Sequence, residues 1–410
     1  MQSNYKPLGK YIKEVKNRNT NGSVNTLLGV NIDKYFMPSV ANIVGTDLTK
    51  YKVVKQGQFA CNLMHVGRDK RLPVALSTSE EDFLVSPAYD VFEIKDENTL
   101  NPEYLMMWFS RKEFDRNAWF YTDADVRGGL HWKAFCEMQL PILSLEKQKE
   151  IVAEYNTIVN RIKLNEQLNQ KLEETAQAIY KQWFVDFEFP DENGKPYKLS
   201  GGEMVSSEKI EYEIPVGWNV GPVSAIVNTQ YGYTTSATTE AVGPKFLRIT
   251  DIAQPYIDWD SVPYCNIDNS EIGKYRLKDG DVVVARTGAT VGYAKRINKL
   301  NPESIFASYL VRITPKEEQH KNFVGLTFIG NQFLEFIQNV AGGSGQPQAS
   351  ATLMTEYATA LPEGSSLERF NRIVEPLLNQ AEVFQMQICR LKELNSLLLT
   401  SLSNKSGPNT

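Results

Sequence analysis

Apolar residues recur along two stretches of this chain in alternating steps of four and three. The first stretch runs Ile151, Tyr155, Ile158, Ile162, Asn165, Asn169, Leu172, Ala176, Ile179 and Trp183. The second runs Phe370, Val374, Leu377, Ala381, Phe384, Ile388, Leu391, Asn395, Leu398 and Leu402. Such spacing keeps one face of a helix apolar and is the seam of a coiled coil. Each ladder covers roughly 33 residues, or about 48 Å at 1.5 Å per residue. Neither seam is stable alone in water, and the simplest partner for each is the other. Antiparallel pairing is expected, because a parallel pair would require the intervening chain to travel back along the first helix. Asn165, Asn169 and Asn395 at seam positions fix register at a cost in stability. Pro376 lacks the N–H that an inner helical turn needs, so a kink is expected there.

Ahead of each ladder the period changes from helical to strand-like. Strands are predicted at Lys245 to Ile252, Asp281 to Arg286 and Ser308 to Thr314, and helices at Pro102 to Phe114 and Val324 to Val340. The landmarks repeat in the same order, about 220 residues apart. Leu27-Leu28-Gly29-Val30 answers Phe246-Leu247-Arg248-Ile249, and Tyr51 to Gly57 answers Tyr275 to Gly280. Ser86 to Ile94 answers Ser308 to Ile313, and Leu140-Pro141 answers Leu361-Pro362. The expected fold class is α+β, two similar domains joined by two long helices in an antiparallel coiled coil. The expected boundaries are a first domain at 1–145, a helix at 146–189, a polar linker at 190–213, a second domain at 214–364, a helix at 365–402 and a frayed tail at 403–410.

Composition adds limits. With 410 residues, 42% hydrophobic and 23% charged, the chain suits two globular domains rather than one core. It has no run of about 20 apolar residues, and Met1 to Lys16 is too polar for a secretory signal, so a cytoplasmic protein is expected. Cys61, Cys136, Cys265 and Cys389 are scattered and read as reduced packing residues. A net charge of -5 argues weakly against nucleic acid, but the local charge argues for it. Lys50, Lys52, Lys55, Arg68, Lys70 and Arg71 form one basic stretch; Lys274, Arg276, Lys278, Arg286, Lys295, Arg296 and Lys299 form another at the same place in the repeat.

Catalytic chemistry is harder to find. No phosphate loop of the Gly-Lys-Ser/Thr kind occurs, and His65, His131 and His320 lack metal-ligand spacing. Asn101-Pro102-Glu103-Tyr104 has the shape of an amino-methyltransferase loop but carries Glu103 where that loop has proline, with no glycine-rich cofactor loop before it; a helix cap explains it. The acid and lysine spacing in Pro190 to Lys195 does not match a nuclease. Gly342-Gly343-Ser344-Gly345-Gln346 offers backbone N–H groups to an anion, or is a plain flexible loop. Arg127, His131 and Trp132, and Ser344, Gln346 and Gln348, stand in matched loops before the two helices, where amide and guanidinium groups can pair with purine edges. With Arg68, Lys70, Arg71, Arg286, Lys295 and Arg296 they are the candidate nucleic-acid contacts; no catalytic or metal residue is expected.

Several segments together resemble the specificity subunit of type I restriction-modification enzymes. Leu140 to Val152 resembles that family's passage from recognition domain into conserved helix, and Gln177 to Glu188 the end of its central helix. Ile214-Pro215-Val216-Gly217-Trp218 resembles its second-domain entry. Val85 to Phe92 and Arg286 to Gly292 resemble turns of its recognition domains. The second Leu-Pro entry, Leu361-Pro362-Glu363-Gly364, lacks the Glu146-Lys147-Gln148 run that follows the first. The resemblance implies a non-catalytic subunit that reads a bipartite double-stranded DNA target, one domain per half-site. Its helices would set the spacing and dock methyltransferase subunits. ATP-dependent restriction subunits would complete the complex. S-adenosylmethionine, ATP and magnesium would sit on those partners, and no cofactor on this chain. Two alternatives stay open: a duplicated-domain protein scaffold, and a recognition subunit of another type of restriction or modification system.

Overall fold

The computed structural model describes residues 4–39, 45–122, 129–207, 213–341, 347–362 and 364–402. It divides into two compact units, Met1–Ile162 with Arg390–Thr410, and Lys163–Cys389. The chain is α+β, and the repeat seen in the sequence is a repeat of strand topology.

In the first unit a four-stranded antiparallel sheet has the order Ile12–Val15, Asp90–Ile94, Phe59–Cys61, Val74–Leu76. In the second the order is Val227–Tyr231, Leu310–Pro315, Val282–Ala285, Ala294–Arg296, again antiparallel throughout. Each sheet therefore places its third and fourth strands in a hairpin whose connection, 62–73 or 286–293, carries part of a basic stretch. A two-stranded ribbon closes each globular part: Tyr5–Pro7 with Gln139–Pro141, and Asn219–Pro222 with Ala358–Leu361. The Leu-Pro landmarks fall at the ends of these ribbons, just before the long helices.

Aromatic side chains hold the first sheet to its helices. Phe59 and Phe92 stack at 4.9 Å, and Phe109 meets both edge-on. Asn101 starts helix Pro102–Phe109 by accepting the Tyr104 N–H at 3.0 Å, with Pro102 at the first turn. The helix expected to reach Phe114 stops at Phe109, and a second runs Lys112–Phe120. Arg111 is extended between them, its buried guanidinium lying 4.0 Å over the Trp108 ring. The expected Val324 to Val340 helix is likewise two, Lys321–Ile329 and Asn331–Ala341, broken at extended Gly330. The expected strand Lys245 to Ile252 ends at Leu247, because Arg248 and Asp251 cap a short helix, Ile249–Ile252. The Arg248 N–H donates to Asp251 Oδ2 at 2.8 Å, and the guanidinium binds the same carboxylate. Within 190–213, Tyr197 stacks on Phe189 at 4.7 Å, and Met204–Ser206 pairs with Glu213–Pro215. Aromatic burial gives much of this polar stretch a defined structure.

The long helices are Leu145–Phe184 and Gly364–Ser401. In the first unit, Ile151 and Val152 share a core with Leu402, and Tyr155 is hydrogen-bonded to Asn395. In the second unit, Trp183 and Phe184 pack on Phe370 at 5.7 and 4.7 Å, and Asn165 Nδ2 donates to Gln387 Oε1 at 3.0 Å. In each unit the start of one helix thus meets the end of the other, which is antiparallel pairing. The seam asparagines divide: Asn165 and Asn395 bond to the facing helix, whereas Asn169 donates to Glu173 of its own at 3.1 Å. Pro376 lies inside an uninterrupted helical span with its side chain exposed, so its ring faces away from the seam.

Candidate nucleic-acid interface

In the first unit the connection 62–73 folds into a 3-10 turn, Leu63–His65, and a short helix, Val66–Asp69. Asn62 caps the turn by accepting the Met64 N–H at 3.2 Å. Lys70 takes a left-handed conformation at φ 54, and its ammonium lies 5.0 Å over the Trp119 ring. Arg68 pairs with Asp69 at 2.6 Å and Arg71 with Asp33 at 2.9 Å, all on the surface. The loop before the first long helix comes to the same place, since the Leu130 N–H donates to Leu63 O at 2.9 Å. His131 is exposed at the start of helix Trp132–Glu137. Trp132 instead is half-buried, 5.7 Å from Phe92 and 5.4 Å from Phe135. Arg68, Lys70, Arg71 and His131 thus share one surface region with Trp132 as its support, and Arg127 lies outside the described residues.

Beneath this region a buried ion pair fixes the connection. Lys34 Nζ reaches Asp115 Oδ1 at 2.7 Å and Phe109 O at 2.5 Å, and the Leu72 N–H donates to the same carboxylate oxygen at 3.0 Å. The two side chains are 4% and 9% exposed. Burial pulls the Lys34 ammonium below its ordinary value, and Asp115 opposes that shift.

In the second unit Arg286 follows strand Val282–Ala285. Its N–H donates to Tyr309 O at 3.0 Å, and its own carbonyl accepts from Ala349 N at 2.9 Å. The guanidinium lies 4.8 Å over the Tyr231 ring. Gly288, at φ 75, donates to Pro347 O at 3.1 Å, and Thr287 bridges Gln348, so Arg286 and exposed Gln348 come together. Ser344 and Gln346, with the rest of the glycine-rich loop, lie outside the described residues.

Lys295 and Arg296 sit at the opposite end of the hairpin. Arg296 is level with Val282, four residues before Arg286. They line a cavity of about 680 Å³ with Glu173, Glu382, Trp259 and Met386. Burial pulls both cations below their ordinary values, opposed by Glu173 at Lys295 and by Glu382 first at Arg296. It raises both carboxyls, with Lys295 and Arg296 as the main opposing charges at Glu173 and Glu382 respectively. Lys295 Nζ also donates to Pro255 O at 2.6 Å. The structure therefore groups Arg286 with Gln348 and places Lys295 and Arg296 in a partly buried charge cluster. Among the described residues, no three His, Cys, Asp or Glu side chains come together to hold a metal ion. None of the described helices is long and apolar enough to cross a membrane.

Sequence reasoning passed over one group of residues and gave another, Gln148, no structural role. Trp119, Phe120 and Tyr121 are exposed at the end of helix Lys112–Phe120, beyond where that helix was expected to stop. Gln148 is fully buried and ties the first long helix to its domain, accepting Asn101 N–H at 2.8 Å and donating to Thr99 O and Leu143 O. The second helix, without that glutamine, uses Asn371, which accepts from Asn322 at 3.1 Å and donates to Gln319 O at 2.8 Å.

No family model matches the chain. Its sequence is similar to the type I restriction enzyme MjaIX specificity subunit of Methanocaldococcus jannaschii, 22% identical over 311 residues, 73% of this chain and 68% of the relative. It is also similar to the type I restriction enzyme HindI specificity subunit of Haemophilus influenzae, 21% identical over 428 residues and 91% of each chain. The fold is shared with the crystal structure of a type I restriction-modification S subunit from M. genitalium, with a TM-score of 0.56, 11% identity and full coverage of both chains. The fold and these similarities set the chain beside one class of duplicated-domain proteins. Within it, the relatives named here are specificity subunits of type I restriction enzymes.

Proposed function

We propose that this chain is the DNA-recognition subunit of a type I restriction-modification complex. Each globular domain reads one half of a split double-stranded target, and the paired helices join the two readers. The observation that carries this reading is the repeated sheet topology, which twice places arginine and polar side chains, exposed at Arg68 and half-buried at Arg286, in a hairpin connection joined to the loop before a long helix. Bases on such a surface supply sequence-independent attraction to phosphate, and amide or guanidinium groups among them supply base readout. The chemistry belongs to partners. Methyltransferase subunits dock on the helices and bring S-adenosylmethionine, and ATP-dependent restriction subunits bring ATP and magnesium; this chain is non-catalytic and acts in the cytoplasm.

The test is to alter one reader at a time in the assembled complex. Arg286→Ala with Gln348→Ala relaxes positions in one half of the target and leaves the other half intact. Simultaneous loss of specificity in both halves would contradict the division of labour.

A further inference from the structure

The end of helix Lys112–Phe120 exposes three consecutive aromatic side chains. Phe120 is 83% exposed, Tyr121 47% and Trp119 44%. Large apolar side chains in water forgo the stabilisation that burial would give, so a run of three marks a surface that is covered in use. Its neighbours identify the covering partner by charge. Lys70 caps the Trp119 ring at 5.0 Å, and Arg68 and Arg71 flank Lys70 in the chain. The Phe120 ring stands 5.9 Å from Tyr121, edge to face at 86°. The result is a projecting ring with its base braced by a second ring and a cation nearby. A polyanion with flat apolar faces inside satisfies both features, and duplex DNA is such a partner.

From this juxtaposition we propose that Phe120 is an intercalating wedge that opens a base step within the first domain's half-site, with Trp119 and Tyr121 as its brace and Lys70 on the adjacent phosphate. This rests on the DNA-recognition reading and adds to it a deformation of the target. Apolar wedges of this kind unstack a base step and kink the duplex. A modifying partner that must take its base out of the stack acts more easily on a duplex already opened. Arg286, flanked by Tyr231 and Tyr309, marks the second domain's reading face, and the wedge makes the two half-sites mechanically unequal.

The experiment uses the full chain assembled with its methyltransferase subunits and duplexes carrying 2-aminopurine at successive positions of both half-sites. Wild type brightens the probe at one step of the first half-site. Phe120→Ala abolishes that signal, leaves the second half-site unchanged and weakens target binding at least about fivefold; Phe120→Leu retains most of the signal. Binding to the split target with no Phe120-dependent probe signal overturns the wedge and spares the recognition reading. No binding to any split target sinks the recognition reading itself. Loss of the methyltransferase subunits from the Phe120→Ala complex assigns the aromatic tip to protein docking and also overturns the wedge.

Discussion

Replacing Asp115 by alanine should loosen the first domain's basic connection without touching any exposed residue. The carboxylate holds Lys34 Nζ at 2.7 Å and the Leu72 N–H at 3.0 Å through one oxygen, with Arg71 Nε 3.8 Å from the other. Its removal leaves the ammonium with the Phe109 carbonyl and the Leu72 amide without this acceptor. Breaking a buried pair from one side costs about 3–5 kcal/mol, and an orphaned buried amide about 1–3 kcal/mol. The two overlap, because a buried lysine can shed its proton, so about 3–5 kcal/mol is expected in total. The pH dependence follows. Without Asp115, burial acts on Lys34 unopposed by its nearest anion, and its folded-state pKa falls further below the unfolded value. The unfolded chain then binds more protons than the folded one, so the variant's deficit shrinks as pH rises from 7 toward 10. Lys34→Met combined with Asp115→Leu should cost less than Asp115→Ala alone, since no buried charge is stranded. Urea unfolding gives the total, and hydrogen exchange over residues 59–76 and 102–120 gives the local effect. A variant within about 1 kcal/mol of wild type, or a double variant as unstable as the single one, would refute the reasoning.

Other outcomes follow from the same geometry. Arg286→Ala should relax one position of the second half-site at a cost of about 1–3 kcal/mol, whereas Arg296→Ala should lower thermal stability by leaving Glu382 less compensated; binding titrations on single-base target variants with melting curves separate the two. Cysteines at Ile151 and Leu402, or at Trp183 and Phe370, should cross-link under mild oxidation, as antiparallel helices require, and non-reducing gels read the result. Gly232→Ala should destabilise the second domain by about 1–3 kcal/mol or more, because a Cβ there would lie 2.2 Å from the Ala307 carbonyl oxygen; denaturant midpoints check it. Gln148→Ala should cost about 2 kcal/mol by orphaning the groups at the entry to the first long helix, visible as faster exchange near Thr99 and Leu143.

The helices were the most legible part of the sequence, because a seam is a local, repeated pattern. Ile151, Ile162, Asn165, Ala176 and Trp183 are buried where the spacing places them, as are Phe370, Val374, Ala381, Ile388 and Leu402. The repeat was legible as an order of landmarks, and its physical content proved to be sheet topology. Helix ends were less so. Arg111 and Gly330 break helices through a buried cation over Trp108 and an extended glycine, which are tertiary choices that apolar period does not encode. The candidate interface was legible as local basicity, yet charge density does not say which way a side chain turns. Arg286 and Arg296 belong to one hairpin, and strand pairing sends them to opposite ends. The aromatic tip at Phe120 lay beyond the expected helix end, so its exposure needed three dimensions to be seen.

Mapping modified bases in the genome of cells that carry this chain with its methyltransferase subunits tests the central claim most directly. The account predicts methylation at a split sequence, two specific half-sites across a fixed nonspecific spacer, that disappears when the chain is deleted. A continuous motif, or methylation that persists without the chain, would contradict it.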